Sequence, residues 1–104
     1  MTRILAYVPD LMDRSKVAAA AAAGGGCVFV SRPGDLAGQS ASADLVVVDL
    51  TKPGVVDVLA GLDARVIGFA NHTSRDVMEA ARAAGCEQVL PRSEFFARID
   101  ELLA

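Results

Sequence analysis

The fold of this chain is decided by the stretch Asp44-Leu45-Val46-Val47-Val48-Asp49-Leu50-Thr51-Lys52-Pro53. Its apolar residues are consecutive rather than alternating, which is typical of a strand that is buried on both faces of a parallel sheet. Three adjacent valines suit the pleated backbone because they are β-branched. The strand carries a single acid, Asp49, to its carboxyl end, and a proline follows four residues later. Asp49 is therefore the residue whose role needs an explanation.

Short apolar runs alternate with helix-like segments along the rest of the chain. The predicted strands are 3–8, 27–30, 45–49, 64–70 and 86–90, and predicted helices cover 11–23, 36–43 and 54–62, with two more opening at Thr73 and Ser93. This alternation predicts a parallel sheet with right-handed crossovers and helices on both faces. Five such units favour the doubly wound, flavodoxin-like strand order 2-1-3-4-5. We therefore expect one α/β domain, a (βα)5 unit over residues 1–104.

The predicted helix ends have simple chemistry. Asp10 is placed to cap the first helix, and Asp13 lies at its third position, near the favourable end of the helix dipole. Thr73 followed by Asp76 has the spacing of a capping box at the fourth helix. Ser93 is placed to cap the last helix.

Charge and composition exclude several classes of protein. With 104 residues and a formal charge of −3, the chain has no basic footprint for nucleic acid. No apolar run approaches the ~20 residues that span a bilayer, so we expect no membrane partner. The N-terminus enters strand-like sequence without the pattern of a secretory leader. The sequence thus predicts a soluble, cytoplasmic protein.

The two cysteines are predicted to be thiols. Cys27 and Cys86 begin the predicted second and fifth strands, which lie on opposite edges of a 2-1-3-4-5 sheet, about 19 Å apart. A disulfide requires Cα atoms within about 7 Å. We interpret both residues as small core side chains.

A candidate site is predicted at the switch between the first and third strands, where the carboxyl ends of the strands meet. Its residues are Asp10, Asp49, Thr51, Ala70, Asn71, His72 and Arg92. One hypothesis pairs Asp49 with Arg92 in a charge-assisted bond. Another has Asp10 and Asp49 hold a divalent cation, with His72 as a conceivable third ligand, although the set lacks a close-spaced ligand pair. Without such a role, His72 is interpreted as a solvated turn residue.

The chain resembles the receiver domain of bacterial response regulators along essentially its whole length. Residues 44–53 are similar to the third-strand motif of that family, an apolar run that ends in the phosphoacceptor aspartate with a proline four residues later. Residues 66–70 resemble the fourth strand, 80–86 the Ala-rich helix that ends in glycine, and 89–92 the fifth strand with its lysine. The resemblance implies that Asp49 occupies the phosphoacceptor position and that Mg²⁺ accompanies phosphorylation.

The chain departs from that family at the residues that carry its chemistry. Receivers have two adjacent acids after the first strand, where this chain has Val8-Pro9-Asp10. The hydroxyl residue of the fourth strand corresponds to Ala70, and the lysine to Arg92, which is a planar fork rather than a compact ammonium. Because phosphoryl transfer depends on positioning and on electrostatic stabilisation, these changes predict that Asp49 is phosphorylated poorly or never.

Three functions follow from these observations. The first is a stand-alone, degenerate receiver-like module that is not an enzyme, needs no cofactor and signals through another protein or a second copy of itself. By family analogy its contact surface is the fourth helix, the fifth strand and the last helix, with Arg75, Glu79, Arg82, Arg98 and Glu101. The second is a single-domain response regulator phosphorylated on Asp49 with Mg²⁺.

The third function is a small-ligand binder on a flavodoxin-like fold. It finds less support, because Pro9 has no amide donor and Asp10 repels phosphate. The three glycines at positions 24–26 follow a predicted helix and precede a predicted strand. A phosphate-binding loop has the opposite order, with a strand before it and a helix after it.

Overall fold

A computed structural model describes residues 2–103 of the chain. Its sheet has five parallel strands in the order β2-β1-β3-β4-β5, as predicted. The strands are β1 (Ile4–Tyr7), β2 (Cys27–Phe29), β3 (Leu45–Asp49), β4 (Arg65–Ala70) and β5 (Gln88–Pro91). All five residues of β3 are buried, which confirms it as the central strand.

The helices cover both faces of this sheet. They are α1 (Leu11–Ala21), α2 (Asp35–Ser40), α3 (Val55–Val58), α4 (Arg75–Ala83), α5 (Arg92–Ala97) and α6 (Ile99–Leu102). Short 3₁₀ turns at Ala22–Gly24 and Leu59–Gly61 extend α1 and α3. Within the described part of the chain, no helix is long and apolar enough to cross a membrane.

Alternate residues of β3 enter two separate cores. Val46 and Val48 pack with side chains of α2, α3 and α4 on one face, whereas Leu45 and Val47 pack with those of α1, α5 and α6 on the other. This division follows from the period of two in a strand, where successive side chains point to opposite faces. The continuous apolar run of β3 is thus explained by burial on both sides.

Several predicted boundaries are wrong in detail. The helix α4 begins after Ser74, whose side chain makes no capping hydrogen bond, so the predicted capping box at Thr73 does not form. The helix α5 begins at Arg92, so Ser93 lies inside its first turn and is not the cap. The predicted last helix is two short helices, because Arg98 has φ −109° and ψ 12°, outside the helical region.

Both cysteines are free thiols, on strands at opposite edges of the sheet, as predicted. Cys86 is buried, whereas Cys27 is only half-buried at the β2 edge. The Sγ of Cys86 lies 3.2 Å from the carbonyl oxygen of Gln88 and 3.6 Å from that of Val66. Both hydrogen-bond acceptors of this thiol are therefore backbone carbonyl groups.

Candidate functional site

The carboxyl ends of the strands bring the predicted site residues to one edge of the sheet. Asp49 is the last residue of β3 and Ala70 the last of β4, and Arg92 directly follows β5. The parallel register aligns Asp49 with Phe69 and Ala70 with Pro91. The crevice between these ends and the start of α1 is the candidate site.

Asp49 is held by the residue two positions later. Its Oδ1 accepts hydrogen bonds from the backbone amide of Thr51 at 3.0 Å and from the Thr51 hydroxyl at 2.6 Å. Both bonds are charge-assisted, because the acceptor is a carboxylate. Only 4% of the surface of Asp49 is exposed, so Thr51 fixes the orientation of a nearly buried acid.

The second oxygen of Asp49 is not fully buried. Oδ2 makes no hydrogen bond to the described residues. Within residues 2–103, every side-chain oxygen that is fully buried has a hydrogen-bond partner. Oδ2 therefore keeps contact with solvent, and it is the oxygen of Asp49 that an incoming group would meet.

Arg92 is bound to Asp13, so the predicted pair between Asp49 and Arg92 is wrong. The two terminal nitrogens of the guanidinium donate to the two carboxylate oxygens of Asp13, with Nη1 at 2.6 Å from Oδ2 and Nη2 in contact with Oδ1. Asp13 is 2% exposed and the side chain of Arg92 is 41% exposed. The fork of arginine matches the two oxygens of a carboxylate, and Asp13 offers both, whereas one oxygen of Asp49 is already taken by Thr51.

An aromatic cluster supports the guanidinium of Arg92. Its central carbon lies 5.0 Å from the ring centre of Phe96 and 5.9 Å from that of Phe69. Phe69 in turn stacks on Phe95 at 4.7 Å. Cations are attracted to the faces of aromatic rings at such distances. The carboxylate of Asp13 and the two rings together hold Arg92 over the end of β4.

The charges around Arg92 favour its ionised form. The hydrogen bonds of Asp13 raise the pKa of Arg92, and the charges of Asp49 and Asp10 act in the same direction, while burial opposes them. Arg92 is therefore a permanent cation.

Asp10 caps α1, as predicted. Its Oδ1 accepts a hydrogen bond of 3.0 Å from the backbone amide of Asp13. This bond lowers the pKa of Asp10, and the charges of Arg92 and Lys52 add to the effect. Asp10 thus lies outside β1, and one of its oxygens is engaged in capping the helix.

The acids of the crevice do not fit a Mg²⁺ site. Mg²⁺ requires nearly octahedral coordination by oxygens. Both oxygens of Asp13 are bound to Arg92, and Asp10 and Asp49 each have one oxygen engaged by the chain itself. Among residues 2–103, no group of three His, Cys, Asp or Glu side chains that could hold a metal ion is found.

Ala70 is buried, whereas Asn71 and His72 are exposed beyond β4. His72 lines a shallow groove of about 260 Å³ along α4, together with Arg75, Met78, Glu79 and Arg82. The structure thus places His72 with the surface of α4 and does not bring it into a ligand cluster with Asp10 and Asp49.

Asp13 is the site residue that the sequence analysis missed as a partner of Arg92. It was assigned only a dipole role, because an acid at the third position of a helix usually turns back toward the cap. Its spacing carried a signal, since Asp13 and Val17 are four residues apart and both are buried on the inner side of α1. An acid on that inner side needs a cation, and Arg92 supplies it.

Comparisons with known proteins support the fold. No protein-family model matches the chain, and no curated protein matches it. The signal receiver domain of NarL from Mycobacterium tuberculosis is similar in structure, with a TM-score of 0.80, 17% sequence identity, and coverage of 98% of this chain and 92% of that one.

Two further solved structures give the same result. A response regulator from Hahella chejuensis has a TM-score of 0.82 and 18% identity, with 99% of this chain and 92% of that one covered. The phosphorylated cyanobacterial phytochrome response regulator RcpA has a TM-score of 0.78 and 14% identity, with 98% and 88% covered. At these identities the likeness shows that the chain has the receiver-like fold.

Proposed function

We propose that the chain is a receiver-like signalling module that binds a protein partner and works without phosphorylation of Asp49. The observation that carries the proposal is the bidentate bond between Arg92 and Asp13. In a phosphoacceptor site, a cation at this position would pair with the incoming phosphoryl group. Here that cation is committed to a buried carboxylate of the same chain.

The missing hydroxyl at Ala70 supports the proposal further. Phosphoryl transfer relies on groups that stabilise charge on the oxygens of the transferred group. Ala70 is a buried methyl group at the end of β4, so it offers no donor there. With Arg92 engaged and no hydroxyl at position 70, Asp49 lacks two of the interactions that stabilise an acyl phosphate in the family that the chain resembles.

The proposed contact surface is the exposed face of α4, continued by β5 and the C-terminal helices. Arg75, Glu79 and Arg82 are exposed, and within the described residues none of them is part of an ion pair. Arg98 instead pairs with Glu94 and Glu101 beside this surface. Exposed arginines whose charges are not matched locally are suited to contact a partner with acidic groups.

Capture experiments test this proposal. The immobilised wild-type protein, the Asp49→Asn variant and the double variant Arg75→Glu/Arg82→Glu are incubated with a cell extract, with and without acetyl phosphate. We expect the same protein to be retained by the wild type and by Asp49→Asn, with no effect of acetyl phosphate, and to be lost with the α4 variant.

A matched control for the α4 variant is Arg3→Glu/Arg32→Glu, which reverses two exposed arginines away from α4. It should retain the partner. Retention that requires both Asp49 and acetyl phosphate, or that survives the reversal on α4, would refute the proposal.

Phosphorylation of Asp49 is the second candidate function. It is favoured by one observation, namely that Asp49 ends β3 with an Oδ2 that is neither fully buried nor hydrogen-bonded within the described residues. Incubation with Mg²⁺ and beryllofluoride tests it, with Asp49→Asn as the control. Changes in the NMR spectrum of the wild type that disappear in Asp49→Asn would establish an acceptor site, and unchanged spectra would favour the first proposal.

A further inference from the structure

The guanidinium of Arg92 is bound at the crevice by a carboxylate that is 2% exposed. Asp13 binds it through both oxygens, and the charges of Asp49 and Asp10 also favour its ionised form. Carboxylates at the carboxyl ends of parallel strands are oxygen ligands of the kind that a divalent cation takes. In this chain, one of these carboxylates is already paired with a cation of the chain itself.

We infer that Arg92 is an internal counter-ion that takes the electrostatic place of a divalent metal, so that the folded chain binds neither Mg²⁺ nor Mn²⁺ at this crevice. The inference goes beyond the proposed function, because it concerns the ion content of the site and holds whichever partner is bound.

The chemistry of arginine makes this replacement permanent. The guanidinium does not lose its proton in proteins, and it presents donors in a fixed planar fork. Its fork is matched by Asp13, and its face lies over the rings of Phe96 and Phe69. The positive charge of Arg92 therefore persists over the pH range in which the protein is folded.

A metal ion would have to compete with Arg92 for the carboxylate of Asp13, at a cost in free energy. To gain Asp13 as a ligand, it would have to separate an ion pair in which the acid is 2% exposed, and removing one partner from a buried pair is costly. Asp49 and Asp10 offer one unengaged oxygen each. Mg²⁺ also gives up its bound waters reluctantly. Two carboxylate oxygens beside a fixed positive charge therefore do not compensate for the loss of those waters.

Removing the internal cation should therefore create metal affinity. The variant Arg92→Gln deletes the positive charge, and Arg98→Gln is its matched control, because Arg98 is an arginine of similar exposure that pairs with glutamates outside the crevice. Titration with Mn²⁺, followed by paramagnetic broadening of NMR signals, measures binding directly. Mn²⁺ is a suitable probe because it takes the same oxygen ligands as Mg²⁺.

We expect no saturable broadening near Asp49 in the wild type or in Arg98→Gln. In Arg92→Gln, the apparent affinity for Mn²⁺ should rise by roughly tenfold or more, since affinity at oxygen sites follows the charge of the ligand set. Adding Asp49→Asn to Arg92→Gln should abolish the gain, which places the ion in the crevice.

Two results would overturn the inference. One is saturable Mn²⁺ binding to the wild type that is lost in Asp49→Asn. The other is a folded Arg92→Gln protein that binds Mn²⁺ no better than Arg98→Gln. If Arg92→Gln does not fold, Asp13→Asn/Arg92→Gln removes both members of the buried pair, and this double variant must show a smaller gain of affinity that again depends on Asp49.

Discussion

Asp49 is held at the end of β3 by Thr51, and that contact decides how the acid is presented. The hydroxyl and the backbone amide of Thr51 both donate to Oδ1, so Oδ2 is the oxygen left without a hydrogen bond among the described residues. The same two residues were predicted as site residues from sequence, but their mutual bond was not. A hydroxyl two residues after an acid is a common local turn contact, and such contacts are a signal that can be read from spacing alone.

Replacing the hydroxyl of Thr51 should lower stability modestly. Thr51→Val keeps the branched shape and the backbone amide but removes the 2.6 Å bond to Asp49. We expect a loss of about 1 kcal/mol in the free energy of unfolding, because Thr51 is exposed and water replaces part of the bond. Urea denaturation measures the change. Thr51→Ser keeps the hydroxyl and should stay close to the wild type, and an equal loss in both variants would contradict the assignment.

The thiols of Cys86 and Cys27 should make stability depend on alkaline pH. Burial raises the pKa of each thiol from 9.0 to about 11. Between these values the unfolded chain loses the thiol proton first, so the folded state binds more protons and stability falls as pH rises. The stabilising effect is therefore complete below pH 9.0 and is lost as pH approaches about 11.

The variant Cys86→Ala isolates one of the two thiols. Its free energy of unfolding should decline less steeply than that of the wild type over this pH range, by about half of the thiol contribution, because only Cys27 remains. Urea denaturation from about pH 8 to about pH 11 compares the two proteins. Equal slopes would show that Cys86 is already ionised in the fold or accessible to solvent.

Elements were predicted better than their ends. The five strands appear in order, because uninterrupted apolar runs mark strands buried on both faces. The capping predictions at Thr73 and Ser93 were wrong. In each case the helix begins one or two residues away from the predicted position, and the spacing of the residues does not determine the first residue of a helix that closely. The division of the last helix at Arg98 could not be predicted, because no Gly or Pro lies near that position in the sequence.

A close approach between β4 and the end of β3 gives a prediction for a glycine. A Cβ on Gly68 would lie 2.7 Å from Cγ and Cδ1 of Leu50, and Gly68 is buried between strands. Gly68→Ala should therefore destabilise the fold by about 1–3 kcal/mol through overpacking.

The matched control is Gly38→Ala in the exposed part of α2. A Cβ on Gly38 would meet nothing within 4 Å. Alanine is favoured over glycine inside a helix, so this variant should gain about 0.5–1 kcal/mol. Thermal unfolding of both variants tests the pair. A Gly68→Ala protein as stable as the wild type would mean that Leu50 moves aside at little cost.

At the scale of the whole molecule, the sheet order brings together residues that are far apart in sequence. Asp13 and Arg92 are 79 positions apart, yet they meet because α1 and α5 lie on the same face of the sheet. The order of the strands and the edge at which the acids collect are predictable from the sequence. The ranking of Asp13 above Asp49 as the partner of Arg92 is not, because that choice depends on which carboxylate has two unengaged oxygens.

The network at this edge is the feature on which both proposals depend. Arg92 is bound to Asp13 and Asp49 is bound to Thr51, so the guanidinium of Arg92 is not available to a phosphoryl group on Asp49. Breaking one bond should leave the other intact, since the two pairs share no hydrogen bond.

A pair of double-mutant cycles measures this assignment most directly. The free energy of unfolding is determined by urea denaturation for Asp13→Asn, Asp49→Asn, Arg92→Gln and the two double variants that contain Arg92→Gln. We predict a coupling energy of about 2 kcal/mol between Asp13 and Arg92, and of less than about 0.5 kcal/mol between Asp49 and Arg92, because only the first pair is in direct contact. A stronger coupling of Arg92 to Asp49 than to Asp13 would contradict the account.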